Sequence, residues 1–111
     1  MWRDEALVLD MLIAARRART YLGETSLEDL STDTLLQDGL VRQLGIVGEA
    51  ASRISGVYQT AHEDVPWRDV IGMRNRLVHA YWDTDVGEVW RTVTNDLPDL
   101  IDTLERLVPP E

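Results

Sequence analysis

Cysteine and lysine are both absent from the 111 residues of the chain, and no long apolar run occurs. Without cysteine there are no thiolate nucleophiles, disulfide frameworks or cysteine zinc sites. No segment reaches the roughly 18 consecutive apolar residues of a membrane-spanning helix. The charged start of the chain, with Arg3, Asp4 and Glu5, is not typical of a signal peptide. We therefore expect a soluble, cytoplasmic protein with one domain over residues 1–111.

Positive charge is scarce as well. Eleven arginines stand against twenty acidic residues, which gives a formal net charge of -9 at pH 7. Nonspecific nucleic-acid binding draws most of its affinity from cations that neutralise phosphates, so this composition excludes a broad surface for polyanions. Any phosphate contact must be local. The planar donors of arginine suit such a contact, although the absence of lysine is also explained by a GC-rich or salt-adapted genome.

Apolar residues recur with the period of a helix and never with the period of a strand, which predicts an all-α fold. A first helix is predicted over residues 3–22 and ended by Gly23. After a short turn at 26–30, a second long helix follows N-cap candidates and carries an apolar stripe from Leu36 to Ile54; the candidates are Ser31, Thr32 and Asp33.

The second half of the chain predicts two more helices. One follows Pro66 and extends from residue 67 to about residue 79. The other begins at a capping box formed by Asp85 and Glu88, and it is kinked by Pro98. The predicted architecture is an antiparallel bundle of four to five helices without strands.

Gly45, Gly48 and Ser52 share a face of the second long helix that differs from its apolar stripe. Missing side chains let another backbone approach closely. Tight packing within the chain and a contact between subunits both explain this pattern.

His62, Glu63 and Asp64 form the first of two candidate polar clusters. No second histidine follows at the spacing of a helical metal site, so we interpret this segment as a solvated loop and predict neither a metal nor a cofactor.

The second cluster is the stretch GMRNRLVHAYWD, residues 72–83. Asn75 and His79 are four residues apart, so on one helix the amide would reach an imidazole nitrogen and select its tautomer. Arg74 and His79 are five apart, roughly 140° around a regular helix. They converge only if the helix ends near His79 or if a symmetric second copy faces the first, which would place two arginines and two histidines in one cleft.

Local charge supports an anion site here. Between residues 67 and 81, Arg68, Arg74 and Arg76 oppose a single carboxylate, Asp69. Doubled across a dimer, this excess would form a narrow cationic slot within an acidic surface. The structural alternative is that the arginines form surface ion pairs, the histidine caps a helix and Tyr81 only packs its ring.

Residues 74–81 match the Arg-x-x-x-x-His-x-Tyr signature, and the chain resembles the HepT-like family, the toxin branch of the HEPN superfamily of helical ribonucleases. Further blocks of the same family occur in the expected order; they are 48–50, 65–68, 71–75, 89–90 and 96–98.

The resemblance implies a HEPN-like bundle and a homodimeric, metal-independent endoribonuclease, the toxin of a toxin–antitoxin pair. His79 would be the general acid or base, Arg74 the phosphate-binding group and Asn75 the polar support, with Arg68 and Arg76 as further substrate contacts. This assignment fits the chemistry, because the 2′-hydroxyl of RNA is its own nucleophile and only proton transfer and charge stabilisation remain.

The resemblance also implies a partner enzyme that modifies Tyr81. A minimal nucleotidyltransferase antitoxin would attach AMP to the tyrosine hydroxyl and so fill the cleft with phosphate. The alternative from another functional class is a noncatalytic dimeric module that binds such a partner or a nucleotide.

Overall fold

The computed structural model describes residues 2–80 and 83–108, apart from the side chains of Trp2, His79 and Ala80. The helices of this part are α1 (Trp2–Leu22), α2 (Leu27–Ser31), α3 (Thr34–Ser52), α4 (Gly56–Ala61), α5 (Trp67–Ile71), α6 (Met73–Leu77), α7 (Val86–Arg91) and α8 (Leu97–Glu105). A π-helical stretch, Thr92–Asp96, joins α7 to α8, and two short strands, β1 (Val78–Ala80) and β2 (Asp83–Thr84), pair antiparallel. The architecture confirms the predicted all-α bundle, with a small ribbon added to it.

The two longest helices, α1 and α3, form the centre of the bundle. Their facing stripes are buried, as Met11 on α1 and Leu44 and Val47 on α3 show with no exposed surface. Helix α8 packs against α1, while α5 and α6 pack against α3. Because each apolar stripe faces another, a single cluster of buried side chains connects the helices.

Side-chain caps start several of the helices. The carboxylate of Asp33 accepts a hydrogen bond from the backbone N–H of Leu36 at 3.0 Å, and that of Asp85 accepts one from Glu88 at 3.1 Å. Gly23 follows α1 with a φ of 51°, a left-handed conformation that favours glycine. These caps and this helix end were predicted correctly.

The predicted helix over residues 67–79 was wrong in two places. It is interrupted at Gly72, which ends α5 and precedes α6, and its last helical residue is Leu77. Val78 is already extended, with φ −130° and ψ 115°, and it pairs with Thr84. The carbonyl of Leu77 accepts a hydrogen bond from the N–H of Asp85 at 2.7 Å, so contact with the second strand replaces the next helical turn. A β-branched residue at position 78 favours this exchange.

The last helix accommodates Pro98 in a way that the sequence did not reveal. The π-helical stretch lies immediately before α8, in which Pro98 occupies the first turn. Proline donates no hydrogen bond, and its ring clashes with the carbonyl four residues earlier in a regular helix. The wider π-helical turn removes that conflict, and the chain continues as one helical segment from 86 to 105.

Gly48 lies at a close contact between α3 and α5. A Cβ at this position would lie 3.2 Å from the carbonyl oxygen of Val70 and 3.4 Å from that of Ile71. Of the two explanations for the small residues on α3, close packing within the chain therefore holds for Gly48.

We expect Gly48→Ala to reduce the free energy of unfolding by about 1 kcal/mol, because overpacking against a backbone outweighs the gain in helix propensity. Gly39→Ala is the matched control on the same helix, since its Cβ would stand 3.7 Å from the ring of Tyr21. That control should raise the free energy of unfolding by up to about 1 kcal/mol. Chemical denaturation measures both, and equal stabilisation by the two changes would contradict the expectation.

Asp4 connects the start of α1 to the start of α4. Its carboxylate accepts hydrogen bonds from the backbone N–H of Ser55 at 2.9 Å and from the Ser55 hydroxyl at 2.8 Å. These two bonds hold the pKa of the carboxyl below its ordinary value of 3.8, and the bond from the backbone N–H has the larger effect. The ionised group therefore stabilises the fold above that value, and the contribution disappears as the pH falls through the pKa of the folded state.

We expect Asp4→Asn to lower the free energy of unfolding at pH 7 and to matter progressively less as the pH falls below about 4. Denaturant titrations at a series of pH values measure the difference from the wild type. The exposed Asp102 offers a matched control, because Asp102→Asn should change stability little at any pH. A constant difference for Asp4→Asn across the pH range would refute the linkage.

None of the helices in the described part of the chain combines the length and the apolar character required to cross a membrane.

Candidate functional site

A groove of about 530 Å³ lies along the exposed side of α3. The floor comes from α3, one wall from α1 and the other wall from α6 and the two strands. The residues that line it are Leu7, Asp10, Asp38, Val41, Arg42, Gly45, Ile46, Glu49, Ala50, Arg53, Arg74, Val78 and Thr84. One wall therefore contains the beginning of the predicted motif.

Arg74 crosses from α6 over α3 at the position of Gly45. A Cβ on Gly45 would lie 3.5 Å from Cδ and 3.8 Å from Nε of Arg74, so the absent side chain leaves room for the arginine. Within residues 2–80 and 83–108, its guanidinium takes part in no hydrogen bond or ion pair. An exposed guanidinium without a protein partner is available to an anion.

Asn75 lies beside Arg74 at a second, smaller groove of about 200 Å³. That groove is lined by Gly45, Gly48, Glu49, Ser52 and Ile71 together with Arg74 and Asn75. Two segments that are nineteen residues apart in the sequence, 45–52 and 71–75, therefore meet here. The fold places the motif arginine and asparagine beside the Gly48-Glu49 block.

Arg76 occupies the other side of α6. Two residues from Arg74, it lies about 200° further around the helix, and its guanidinium donates a hydrogen bond to the carbonyl of Asp69 at 2.9 Å. It lines a separate groove of about 620 Å³ that also contains Asp64 and Asp96. Arg68 is exposed on α5 and lines neither the groove along α3 nor the groove that contains Arg76. Within one chain, the three motif arginines therefore do not converge.

The backbone of His79 lies in β1, two residues beyond the end of α6. The prediction that Asn75 and His79 share one helical face was therefore wrong, because the helix ends at Leu77. The other condition for convergence, a helix that ends near His79, is met. The side chain of His79 and the whole of Tyr81 lie outside the described residues.

His62, twelve residues before Arg74, contacts an aromatic ring. The centroids of the His62 and Tyr58 rings are 4.3 Å apart. In the part of the chain that the structure describes, no group of three or more histidine and carboxylate side chains is arranged to hold a metal ion.

Sequence reasoning missed four exposed charges on the floor of the groove, namely Asp38, Arg42, Glu49 and Arg53 as a set. Only Glu49 had been noted, as part of a family block. Their spacing of four, seven and four residues places all of them on one face of α3, and this spacing was a signal that could have identified them.

The family model described as "Ribonuclease HepT-like" matches residues 11–107. The chain belongs to the HepT-like family. The match begins within α1 and continues through the later helices, both strands and the motif from Arg74 to Tyr81, so the predicted resemblance is confirmed.

Named relatives of this HepT-like chain are also described as ribonucleases. The chain is 35% identical over 98 residues to "Probable ribonuclease HepT" of Thermococcus cleftensis, an alignment that covers 88% of this chain and 89% of the relative. It is 31% identical over 86 residues to "Putative RNase TTE0752" of Caldanaerobacter subterraneus subsp. tengcongensis, with 78% and 77% covered. It is 26% identical over 96 residues to "Putative RNase MJ1380" of Methanocaldococcus jannaschii, with 86% and 88% covered. No solved structure gave a significant match to the chain.

Proposed function

We propose that this HepT-like chain is an endoribonuclease toxin that acts as a homodimer and needs no metal ion. Family membership supports the ribonuclease chemistry. The observation that carries the proposal for the site is the placement of Arg74, an exposed guanidinium that lines the α3 groove without a partner among the described residues. Binding of a phosphodiester would explain why a chain with a net charge of -9 places a guanidinium in this position.

The reaction we propose uses the 2′-hydroxyl of the substrate as the nucleophile. Its oxygen forms a bond to phosphorus while the bond from phosphorus to the 5′-oxygen breaks. His79 accepts the proton of the 2′-hydroxyl or donates one to the departing 5′-oxygen, a role that suits an imidazole with an ordinary pKa of about 6.5. The products are a 2′,3′-cyclic phosphate and a 5′-hydroxyl.

Arg74 stabilises the extra negative charge that develops on the phosphorane. A planar guanidinium can donate two parallel hydrogen bonds to adjacent phosphoryl oxygens. Asn75 lines the smaller groove together with Arg74. In this mechanism it is the polar support between Arg74 and His79. Arg68 and Arg76, which line other surfaces of the monomer, would make more distant contacts with the RNA.

The test of this proposal is cleavage of an unstructured RNA by the purified protein in the presence of EDTA. We expect fragments with cyclic-phosphate and 5′-hydroxyl ends. Fragments with 5′-phosphate ends, or activity that disappears when metal ions are chelated, would refute it. Specific RNA binding without cleavage over a range of salt concentrations would favour the noncatalytic dimeric module instead.

We further propose that a nucleotidyltransferase antitoxin silences the toxin by transferring AMP to the hydroxyl of Tyr81, with ATP and Mg²⁺ as its own requirements. The hydroxyl oxygen bonds to the α-phosphorus of ATP, and pyrophosphate departs. The added phosphates would occupy the anion site at Arg74 and exclude RNA.

We expect incubation with ATP and the partner enzyme to increase the mass of the wild-type protein by whole AMP units and to leave Tyr81→Phe unmodified. Intact-mass spectrometry measures the change. Tyr21→Phe is a matched control, since Tyr21 is partly exposed on α1 and should leave modification unchanged. AMP addition to Tyr81→Phe at the wild-type level would exclude this site.

A further inference from the structure

The smaller groove beside α6 contains opposite charges that do not pair with each other. Glu49 of α3 and Arg74 of α6 both line it, and both are exposed. Like the Arg74 guanidinium, the Glu49 carboxylate forms no hydrogen bond or ion pair with any residue of the ranges 2–80 and 83–108. Each charge is therefore available to a ligand, and a ligand that satisfies both carries an anion together with hydrogen-bond donors.

A carboxylate beside an anion site has a cost. It repels every phosphate that approaches Arg74, so it lowers the affinity for RNA in general. Hydrogen bonds from one part of the substrate to the Glu49 carboxylate would offset this cost. Because only substrates with donors in the right place gain these bonds, a carboxylate in this position discriminates between substrates. In RNA, the bases differ in their donors whereas the phosphates do not.

The groove has the size and the surface to hold one base. Its volume of about 200 Å³ is below the roughly 300 Å³ at which pockets for drug-sized ligands begin. Ile71, the last residue of α5, lines the groove and is 38% exposed, which is unusual for a large apolar side chain. The flat face of a base can rest on such a side chain while its polar edge reaches the carboxylate.

Guanine is the base whose polar edge matches a carboxylate. Its Watson–Crick edge presents two adjacent donors, the ring N–H and the 2-amino group, and the two oxygens of one carboxylate accept both. Adenine and cytosine present an amino group beside a ring nitrogen that is itself an acceptor, and uracil presents one N–H between two carbonyls. In these three bases an acceptor would face a carboxylate oxygen, which is unfavourable.

We propose that Glu49 is a specificity-determining residue that selects guanine next to the phosphate bound by Arg74. The Glu49 carboxylate accepts hydrogen bonds from the ring N–H and the 2-amino group, and Ile71 supports the face of the ring. Asn75, which lines the same groove, keeps the supporting role given to it above. The inference rests on the proposed RNA site and names the base that this site prefers.

Binding of oligonucleotides that cannot be cleaved tests the inference separately from catalysis. Hexamers of deoxyuridine lack the 2′-hydroxyl nucleophile, and one position is replaced by guanine, hypoxanthine, adenine or cytosine. Fluorescence anisotropy measures the dissociation constant of each hexamer. We expect the guanine hexamer to bind at least about tenfold more tightly than the hypoxanthine hexamer, because hypoxanthine lacks only the 2-amino group and so loses one hydrogen bond to a charged acceptor.

Glu49→Gln separates recognition of the base from simple electrostatics. The change preserves the size of the side chain, removes its charge and replaces one acceptor by a donor. The dissociation constant of the guanine hexamer should rise at least about fivefold, because guanine loses a hydrogen bond to the carboxylate. That of the all-uracil hexamer should fall about twofold, because the repulsion of phosphate disappears with the charge. A carboxylate that only repels phosphate cannot produce effects of opposite sign.

Glu24→Gln is the matched control. Glu24 is exposed just beyond the end of α1 and does not line the smaller groove. The same loss of one negative charge at that position should leave the preference for guanine at its wild-type value. Both glutamates are exposed, so we expect both variants to fold as the wild type does.

Three results would overturn the inference. They are a guanine hexamer that does not bind, a wild type that binds another hexamer as tightly as the guanine one, and a Glu49→Gln variant that binds all hexamers more tightly by the same factor. Failure of the ribonuclease proposal is distinct from these outcomes. A protein that prefers guanine but cleaves no RNA retains the base site, whereas one that cleaves RNA without regard to guanine retains the proposed chemistry and lacks this site.

Discussion

Arg74→Ala is expected to lower kcat/KM for RNA cleavage by about 10² to 10³-fold, the usual loss when one donor to a developing oxyanion is removed. The side chain lines the groove and forms no hydrogen bond or ion pair to the described residues, so its removal should change the free energy of unfolding by less than about 0.5 kcal/mol. Single-turnover cleavage of a labelled RNA, together with thermal unfolding, separates the two effects.

Arg74→Lys and Arg76→Ala are the informative comparisons for this change. Lysine keeps the charge but loses the planar pair of donors, so we expect it to recover only part of the activity. Arg76 is bound to the carbonyl of Asp69 on the other side of α6, and its loss should cost less than about tenfold. Equal losses from Arg74→Ala and Arg76→Ala would indicate general attraction of RNA rather than a specific phosphate contact.

Helix ends that depend on a local side chain could be predicted from the sequence. Asp33 and Asp85 cap helices because a carboxylate reaches a free N–H three residues later, and this geometry needs no knowledge of the rest of the fold. Gly23 ends α1 for a similarly local reason. The apolar stripes identified the buried faces, since burial of one stripe requires another to face it.

Features that depend on a distant partner could not be predicted in this way. Val78 leaves the helix because Thr84 pairs with it and because the N–H of Asp85 bonds to Leu77. The amino-acid order from 73 to 79 is compatible with a helix, and only the returning strand decides otherwise. Pro98 is a similar case. The sequence indicates that its ring conflicts with a regular helix, but it does not indicate that a π-helical turn before Pro98 removes the conflict.

The candidate site also combines features that local sequence predicts with features that depend on distant parts of the chain. The motif was enough to nominate Arg74 and Asn75 as candidates, but the sequence could not show that they share a groove with Glu49, because that depends on the packing of α6 on α3. The local excess of positive charge grouped Arg74 with Arg76, yet residues two apart on a helix point in nearly opposite directions. In the fold, the charged residues that line the groove with Arg74 come from α1 and from the α3 stretch between residues 38 and 53.

His79→Ala is expected to lower kcat by about 10² to 10⁴-fold while KM changes little. A proton-transferring imidazole acts mainly in the transition state, whereas in the proposed site Arg74 would bind the phosphate in the ground state as well. Steady-state kinetics on an unstructured RNA in EDTA give both constants. His62→Ala is the matched control, because His62 packs against Tyr58 and should be dispensable for cleavage. Retention of more than a tenth of the wild-type kcat in His79→Ala would exclude a central role in proton transfer.

A substrate with sulfur in place of the bridging 5′-oxygen then assigns the role of His79. A thiolate leaves without a proton, so this substrate bypasses general acid catalysis and leaves general base catalysis in force. If His79 is the acid, the alanine variant should cleave the sulfur substrate nearly as fast as the wild type does. If His79 is the base, the full loss should persist, because the 2′-hydroxyl still has to lose its proton as it attacks. Two imidazoles in one dimeric cleft would allow both roles, and the loss with the sulfur substrate would then be reduced but not abolished.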